Sequence, residues 1–196
     1  MKRTFDLIAS SLGLLLLSPL FLMLAIWIKI DSEGPVFYRQ VRVGKGNRDF
    51  RLFKFRSMRV GSDRKGLITV GGRDPRVTRS GYYIRKYKLD ELPQLINVFT
   101  GDMSLVGPRP EVRKYVDLYT PEQMHVLDVR PGITDPASIR YRNENELLAQ
   151  VEDPDRYYVE VNMQDKLQLN LEYVEKQSFR FDLQLIFKTF SEIIRK

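Results

Sequence analysis

Asp90 and Glu91 are adjacent carboxylates set directly before Leu92-Pro93-Gln94-Leu95, and they are the residues of this chain best placed to do chemistry. Proline is tolerated in a helix's first turn and aspartate is a strong N-cap, so the pair should stand at a helix N-terminus. There, unpaired amides and the positive end of the dipole favour anions. By itself such a pair reads as a helix cap and nothing more. Its surroundings point further. Arg85, Lys86 and Lys88 come just before it, Lys54-Phe55-Arg56 lies upstream, and Arg109 follows between Pro108 and Pro110. Proline fixes its own φ and restricts the residue before it, so Arg109 is carried on a stiff turn suited to bidentate contact with a phosphate. Acids flanked by bases suit phosphate chemistry assisted by Mg²⁺, a hard ion that takes carboxylate and phosphate oxygens.

Other chemistries are excluded by residue type. The 196 residues hold no cysteine and one histidine, His125. Disulfides, thiolate zinc sites, cysteine nucleophiles and histidine-cluster metal sites are therefore absent. His125 falls in residues 121–127, which read as a helix, and is expected to be a surface or packing residue. Catalysis must rest on carboxylates, lysines, arginines, hydroxyls or a hard metal ion. The net charge of +7, from 32 Lys+Arg against 25 Asp+Glu, favours anionic partners. Gly44 and Gly46 do not complete a dinucleotide fingerprint, and no Gly-Lys-Ser/Thr phosphate loop is present. The bases and aromatics form no recognised nucleic-acid motif, so no nucleic-acid partner is expected.

The elements that must position these residues begin with an uncharged run over residues 7–28, long enough to span hydrocarbon. It exceeds the apolar stretch of a signal peptide and no small-x-small cleavage site follows Trp27, which fits an interfacial anchor. Ser18-Pro19 lies at its centre, and Lys2 and Arg3 before it are matched by Lys29, Arg39, Arg42, Lys45 and Arg48 after it. Lysine and arginine stay on the cytoplasmic side, and a straight span would carry one basic flank across. A helix broken at Ser18 and Pro19 that dips into one leaflet and returns keeps both flanks inside. A straight single span is the alternative.

Residues 36–43 are rich in β-formers, Gly44-Lys45-Gly46-Asn47 reads as a turn and residues 50–55 as a returning strand, which together predict a β-hairpin. Residues 58–82, with Gly61, Gly66, Gly71, Gly72 and Gly81, read as a loop. A helix should begin near Asp90, with Leu92, Leu95, Ile96 and Phe99 on one face and Gly101 as its stop. Leu167, Leu171 and Val174 fall in helical phase. Residues 179–196 are amphipathic, with Leu183, Ile186, Phe187, Phe190, Ile193 and Ile194 on one face, and Lys188, Arg195 and Lys196 off it; such a helix either lies on the membrane surface or packs on the core. The expected fold class is α+β: residues 1–33 as the membrane helix, and residues 34–196 as a catalytic domain on the cytoplasmic face with an interfacial C-terminal helix.

Several blocks in this order resemble one family. They are Lys2-Arg3-Thr4-Phe5-Asp6 with Ser18-Pro19, Gly34-Pro35-Val36-Phe37-Tyr38-Arg39-Gln40, Phe53-Lys54-Phe55-Arg56-Ser57-Met58 and Asp74-Pro75-Arg76-Val77-Thr78. Asp90-Glu91-Leu92-Pro93-Gln94-Leu95, Asn97-Val98, Met103-Ser104-Leu105-Val106-Gly107-Pro108-Arg109-Pro110 and Arg130-Pro131-Gly132-Ile133-Thr134 continue the series. Across nearly its whole length the chain resembles the monotopic phosphoglycosyl transferases, also called bacterial sugar transferases. The resemblance implies transfer of a sugar-1-phosphate from a UDP-sugar to undecaprenyl phosphate, with Mg²⁺ and release of UMP, as the first membrane step of glycoconjugate assembly. It implies a monotopic place in the cytoplasmic leaflet of the bacterial cell membrane. It carries the roles of covalent nucleophile and Mg²⁺ ligand to Asp90, that of acidic partner to Glu91, and phosphate-binding roles to Arg85, Arg109 and Arg142 beside Lys54 and Arg56. A homodimer is left open. Many relatives continue Pro-Gly-Ile-Thr with glycine and a Gln-Val-Asn-Gly-Arg-Asn run. Here Asp135-Pro136-Ala137-Ser138-Ile139-Arg140-Tyr141 precedes Arg142-Asn143, a departure that bears on sugar or uridine specificity. The competing readings are a catalytically inactive, membrane-tethered anion-binding or scaffold relative, and a one-step enzyme in which the acids only hold Mg²⁺.

Overall fold

The computed structural model describes residues 1–62 and 74–194, the side chains of residues 193 and 194 excepted. Gly66, Gly71 and Gly72 of the expected loop, and the expected roles of Ile193, Ile194, Arg195 and Lys196, lie outside the described residues.

The first element, α1, is a helix over Lys2–Asp31, and it does not break at Ser18-Pro19. Proline lacks the N–H that the Leu15 carbonyl, four residues back, would accept. The Ser18 hydroxyl supplies the missing donor, at 2.8 Å from that same carbonyl. No backbone acceptor is stranded, which is what a helix in hydrocarbon requires. Leu15 and Leu16 beside it are 70% and 76% exposed. Among the described residues α1 is the one helix long and apolar enough to cross a membrane.

Both ends of α1 are tied to the rest of the chain. Lys2 Nζ donates to Asp182 at 2.6 Å, to the Val106 carbonyl at 2.9 Å and to the Tyr173 hydroxyl at 3.0 Å. Arg3 donates to the carbonyls of Val98 and Phe99, and Asp6 accepts from the Leu105 amide at 3.0 Å. At the other end the buried Arg56 guanidinium donates to the carbonyls of Ile28, Ser32 and Glu33. A helix C-terminus leaves such carbonyls unpaired, and a cation there also complements the dipole. Asp31 accepts from the Ser80 amide and hydroxyl at 2.8 and 2.7 Å. Leu24 and Ile28 pack against Phe55 and Ile84.

The expected hairpin is present as β1, Phe37–Val43, antiparallel to β2, Asp49–Phe55, with Gln40 opposite Leu52. Its turn contains a short 3₁₀ segment, Lys45–Asn47, where Gly46 has φ +66°. Helix α2, Arg79–Lys86, is capped by the Thr78 hydroxyl. Helix α3, Gln94–Thr100, ends at Gly101 in the left-handed region, as its sequence predicts. The buried Asn97 docks α3 on the hairpin edge: Oδ1 accepts from the Phe53 amide at 2.9 Å and Nδ2 donates to the Arg51 carbonyl at 2.8 Å. A second, parallel pair joins β3, Ser104–Val106, to β4, Gly132–Thr134.

Helices α4 (Arg113–Val116), α5 (Pro136–Arg140), α6 (Glu144–Leu148) and α7 (Pro154–Tyr157) are short, while α8 runs over Met163–Lys176. Val112, Tyr115, Val126, Leu148, Tyr158 and Leu167 form one core among them. His125 lies in a 3₁₀ turn, Gln123–Asp128, on the surface and paired with Asp128 at 2.9 Å. The last helix, α9, covers Phe179–Ile194. Leu185 enters the core with Phe181 and Ile186 against Tyr173, while Phe187 and Phe190 are 70% and 59% exposed. Core packing and an outward apolar edge thus share one helix.

Candidate active site

The acid pair does not cap α3. Asp90 and Glu91 lie in a 3₁₀ turn, Leu89–Glu91, entered through Lys88 at φ +57°, and α3 begins only at Gln94. The reason is in the sequence. An N-cap side chain bonds the amide two or three residues on; three residues after Asp90 stands Pro93, with no N–H, and the Leu92 amide is bonded to the Leu89 carbonyl at 3.3 Å. The Asp90 carboxylate is released from capping and turned inward, 6% exposed. Among the described residues no donor is hydrogen-bonded to it.

Glu91 is held on both sides. Lys54 of β2 reaches Oε1 at 3.2 Å. Arg109 forms a two-pronged pair with the same carboxylate, Nη1 to Oε2 at 3.2 Å and Nη2 to Oε1. Arg109 is carried by the segment that leaves β3, fixed where the Gly107 amide donates to the Thr134 carbonyl and the Gly132 amide to the Pro108 carbonyl, both at 3.0 Å. The stiff turn expected between the two prolines is thereby clamped to β4.

The two carboxylates are driven apart in acidity. Burial pushes Asp90 above the ordinary aspartate range, and the Glu91 charge beside it pushes the same way; Lys54, Arg85 and Lys88 pull back only in part. Burial also works to raise Glu91, but Arg109 and Lys54 outweigh it and hold Glu91 well below the ordinary range. Burial lowers Lys54 despite the neighbouring Glu91. Arg109 is raised by the Glu91 charge. Adjacent acids with opposed shifts have different tasks. Glu91 is a fixed anion that orders the bases, and Asp90 is a carboxylate to which none of the described residues donates.

The residues singled out from sequence do not all converge. Lys54, Asp90, Glu91 and Arg109 meet, and Arg85 acts electrostatically on Asp90. Arg56 is committed to the end of α1 and is not brought to the acid pair. Arg142 donates to the Glu192 carbonyl and stands 4.0 Å from the Glu192 carboxylate, a partner on α9. Ser18 and Pro19 sit within α1. Two residues carry more than their sequence signal. Gln94, one turn of chain beyond Asp90, is 1% exposed and its Nε2 has no partner. Asp135 is fully buried, caps α5 through the Ser138 amide at 2.9 Å and hydroxyl at 2.6 Å, and is pushed up by burial. The spacing of Gln94 from Asp90 was its only clue.

No group of three or more metal-ligating side chains occurs among the described residues. Mg²⁺ commonly takes only one or two protein carboxylates, with substrate phosphates and waters completing the octahedron. The unpaired Asp90 carboxylate fits one such ligand.

A membrane-length helix tied at both ends to a domain with an acid pair among bases is the architecture of a membrane-associated protein. The chain belongs to the bacterial sugar transferase family, whose family model matches residues 1–196. It is 41% identical, over 98% of its length, to the UDP-N-acetylgalactosamine-undecaprenyl-phosphate N-acetylgalactosaminephosphotransferase of Aeromonas hydrophila, covering 43% of that protein. It is 37% identical over 96% of its length to the UDP-glucose:undecaprenyl-phosphate glucose-1-phosphate transferase of Escherichia coli K12, covering 39% of it. It is 37% identical to the uncharacterized sugar transferase EpsL of Bacillus subtilis, covering 99% of this chain and 87% of that one. The chain thus spans about two fifths of the length of the first two relatives.

Proposed function

We propose that the chain is a phosphoglycosyl transferase that moves a sugar-1-phosphate from a UDP-sugar to undecaprenyl phosphate in two steps through Asp90. The observation that carries the reading is the Asp90 carboxylate, buried and without a hydrogen-bond donor among the described residues, beside a Glu91 that two cations immobilise. In the first step an Asp90 oxygen attacks the sugar-bearing phosphorus; an aspartyl–phosphorus bond forms, the diphosphate P–O bond breaks, and UMP leaves with the bridging oxygen. In the second step a phosphate oxygen of undecaprenyl phosphate attacks the same phosphorus and the aspartyl bond breaks. Atoms and charge balance without a proton acceptor, since both nucleophiles are anions. Arg109 and Lys54, fixed by Glu91, with Arg85 nearby, are the cations available to the phosphoryl oxygens. Bound at Asp90 and the diphosphate, Mg²⁺ would supply neutralisation of charge on the leaving UMP.

The names of two relatives supply the substrate class: each couples a UDP-sugar to undecaprenyl phosphate. The test is UMP release from UDP-sugars by the purified chain with undecaprenyl phosphate and Mg²⁺. Turnover with one or more UDP-sugars is expected, and no UMP with any of them would refute the assignment.

Acidity gives a second check. Asp90 must be ionised to attack, so the acid limb of the rate profile should lie above the ordinary aspartate range. Lys54→Met removes a cation that stabilises the Asp90 carboxylate and should move that limb to higher pH. Glu91→Gln removes the neighbouring anion and should move it to lower pH. Shifts in the same direction for both variants would show that Asp90 does not set the limb.

We also propose that α1 is re-entrant, bent at Pro19 while its helical hydrogen bonding continues. Lys2, Arg3 and Asp6 at one end, and Asp31 with the carbonyls bound by Arg56 at the other, make polar bonds to the same domain. A crossing helix would take one of these sets to the far side and leave its partners unpaired. Cysteines introduced at positions 2 and 45 are expected to label from the cytoplasmic side alike; labelling from opposite sides would require a straight span.

A further inference from the structure

A cavity of about 480 Å³ opens at the N-terminal end of α1. None of Lys54, Asp90, Glu91 and Arg109 lines it, so it is a different place from the acid pair. Lys2, Arg3, Lys45 and Arg130 face it, against Asp6 and Asp128. The acids are engaged: Asp6 accepts from the Leu105 amide, and Asp128 pairs with His125. Lys2 is balanced by Asp182. The other three cations have no carboxylate partner among the described residues. Arg3 bonds only the carbonyls of Val98 and Phe99, and Arg130 the Gly101 carbonyl at 2.9 Å. Lys45, on the exposed hairpin turn, makes no hydrogen bond or ion pair among them. A second feature points to a ligand. Ser104, at 1% exposure, lines the same cavity, and its hydroxyl oxygen is buried without a hydrogen-bond partner. Buried hydroxyls are normally paired, and one lining a cavity whose four cations outnumber its two carboxylates is a donor awaiting an acceptor.

The position of the cavity on α1 sets the depth. The first strongly exposed apolar side chains are Ile8 at 57% and Leu12 at 53%. At about 1.5 Å per residue they start roughly 10 Å along the helix from Lys2, which puts the cavity level with lipid headgroups when the apolar run is in hydrocarbon. This depth rests on the membrane reading of α1 above.

We infer that the cavity is a second anion site, for a phosphate group, presented by an anionic phospholipid headgroup where α1 enters the leaflet. Arginine and lysine recognise phosphate by charge-assisted hydrogen bonds, and the serine hydroxyl supplies a neutral donor. The net lining charge favours an anionic lipid over a zwitterionic one that carries the same phosphate.

The test uses the full chain in detergent micelles, with lipid retention read by native mass spectrometry and inorganic phosphate binding by calorimetry. Phosphatidylglycerol is expected to be retained about ten-fold over phosphatidylcholine, and Lys45→Glu and Arg130→Gln each to remove that preference. Lys45→Glu loses no hydrogen bond or ion pair to a described residue, so its effect separates binding from misfolding. Inorganic phosphate that binds and is weakened by both variants, without lipid preference, keeps the phosphate site and assigns it a soluble source. Lipid retention and phosphate binding both indifferent to the two substitutions would overturn the inference. UMP release by the unsubstituted chain is measured apart, so failure of the transferase assignment and failure of this site remain distinguishable.

Discussion

Asp90→Asn is expected to lower UMP release by about three orders of magnitude or more while raising the melting temperature at neutral pH. The two effects have one cause. Asparagine matches aspartate in shape but offers no anionic oxygen to attack phosphorus. It also removes a buried charge that no donor compensates and that the neighbouring Glu91 repels. The sign follows from linkage. The folded-state acidity of Asp90 is displaced upward, so between its unfolded and folded values the native state binds more protons and stability falls as pH rises. Above its folded value the unsubstituted chain carries that destabilisation in full, and the variant does not. The gap in melting temperature should close as pH falls through the folded value towards the ordinary aspartate range. Intact-mass measurement after mixing with a UDP-sugar and no acceptor should show a phosphosugar adduct on the unsubstituted chain and none on the variant. Turnover by the variant near the unsubstituted rate would end the covalent mechanism; a variant that is inactive yet less stable would mark Asp90 as structural.

Glu91 offers the contrast that makes the pair intelligible. Its carboxylate is less acid-shy than that of Asp90 only because Arg109 and Lys54 flank it. Removing it should free two cations rather than a nucleophile. Lys54, which helps tune Glu91, also acts on Asp90, and the site is better described as one anion ordered by bases beside one without a bonded donor among the described residues than as two equivalent acids.

Much of this was legible because the chemistry depends on local pattern. The hairpin followed from β-formers around Gly44-Lys45-Gly46-Asn47, the stop of α3 from Gly101, and the acid pair from its basic neighbours. What sequence misplaced depended on contacts distant in the chain. Arg56 looked like a phosphate ligand because, two residues on from Lys54, a continuing strand would put it on the same face, but β2 ends at Phe55. Lys54 turns to Glu91, and Arg56, just past the end of β2, goes to the carbonyls that end α1. Asp90 looked like a cap because the local rule permits it; the proline at the position whose amide it would bind forbids it. Ser18-Pro19 looked like a break because proline removes a donor, but the serine before it restores one to the same carbonyl. In α9 the amphipathic pattern left membrane contact and core packing both open, and Tyr173, brought in from α8, decides which residues are covered.

A position of very low tolerance outside the acid pair is expected to be Gly132. A Cβ there would lie 2.1 Å from the Gly107 amide nitrogen and 2.5 Å from its carbonyl oxygen, and one on Gly107 would lie 2.3 Å from the Arg130 carbonyl. The two glycines let β4 and the segment leaving β3 cross backbone to backbone, and no rotamer change can relieve a clash between main chains. Gly132→Ala must therefore part the Gly132–Pro108 and Gly107–Thr134 hydrogen bonds that hold the turn bearing Arg109. The cost should be about 3 kcal/mol or more, at the upper end of overpacking. Protein that still folds should lose at least about a hundred-fold in turnover, because a shift of about 1 Å in a positioning group is enough for that. Gly46→Ala is the control. Its φ of +66° makes alanine strained by about 1–2 kcal/mol, yet nothing lies within 4 Å of the added carbon and the acid pair is untouched. That variant should melt slightly lower with unchanged turnover. If Gly132→Ala behaved like Gly46→Ala in both readouts, the clamp between β3 and β4 would not be what places Arg109 on Glu91.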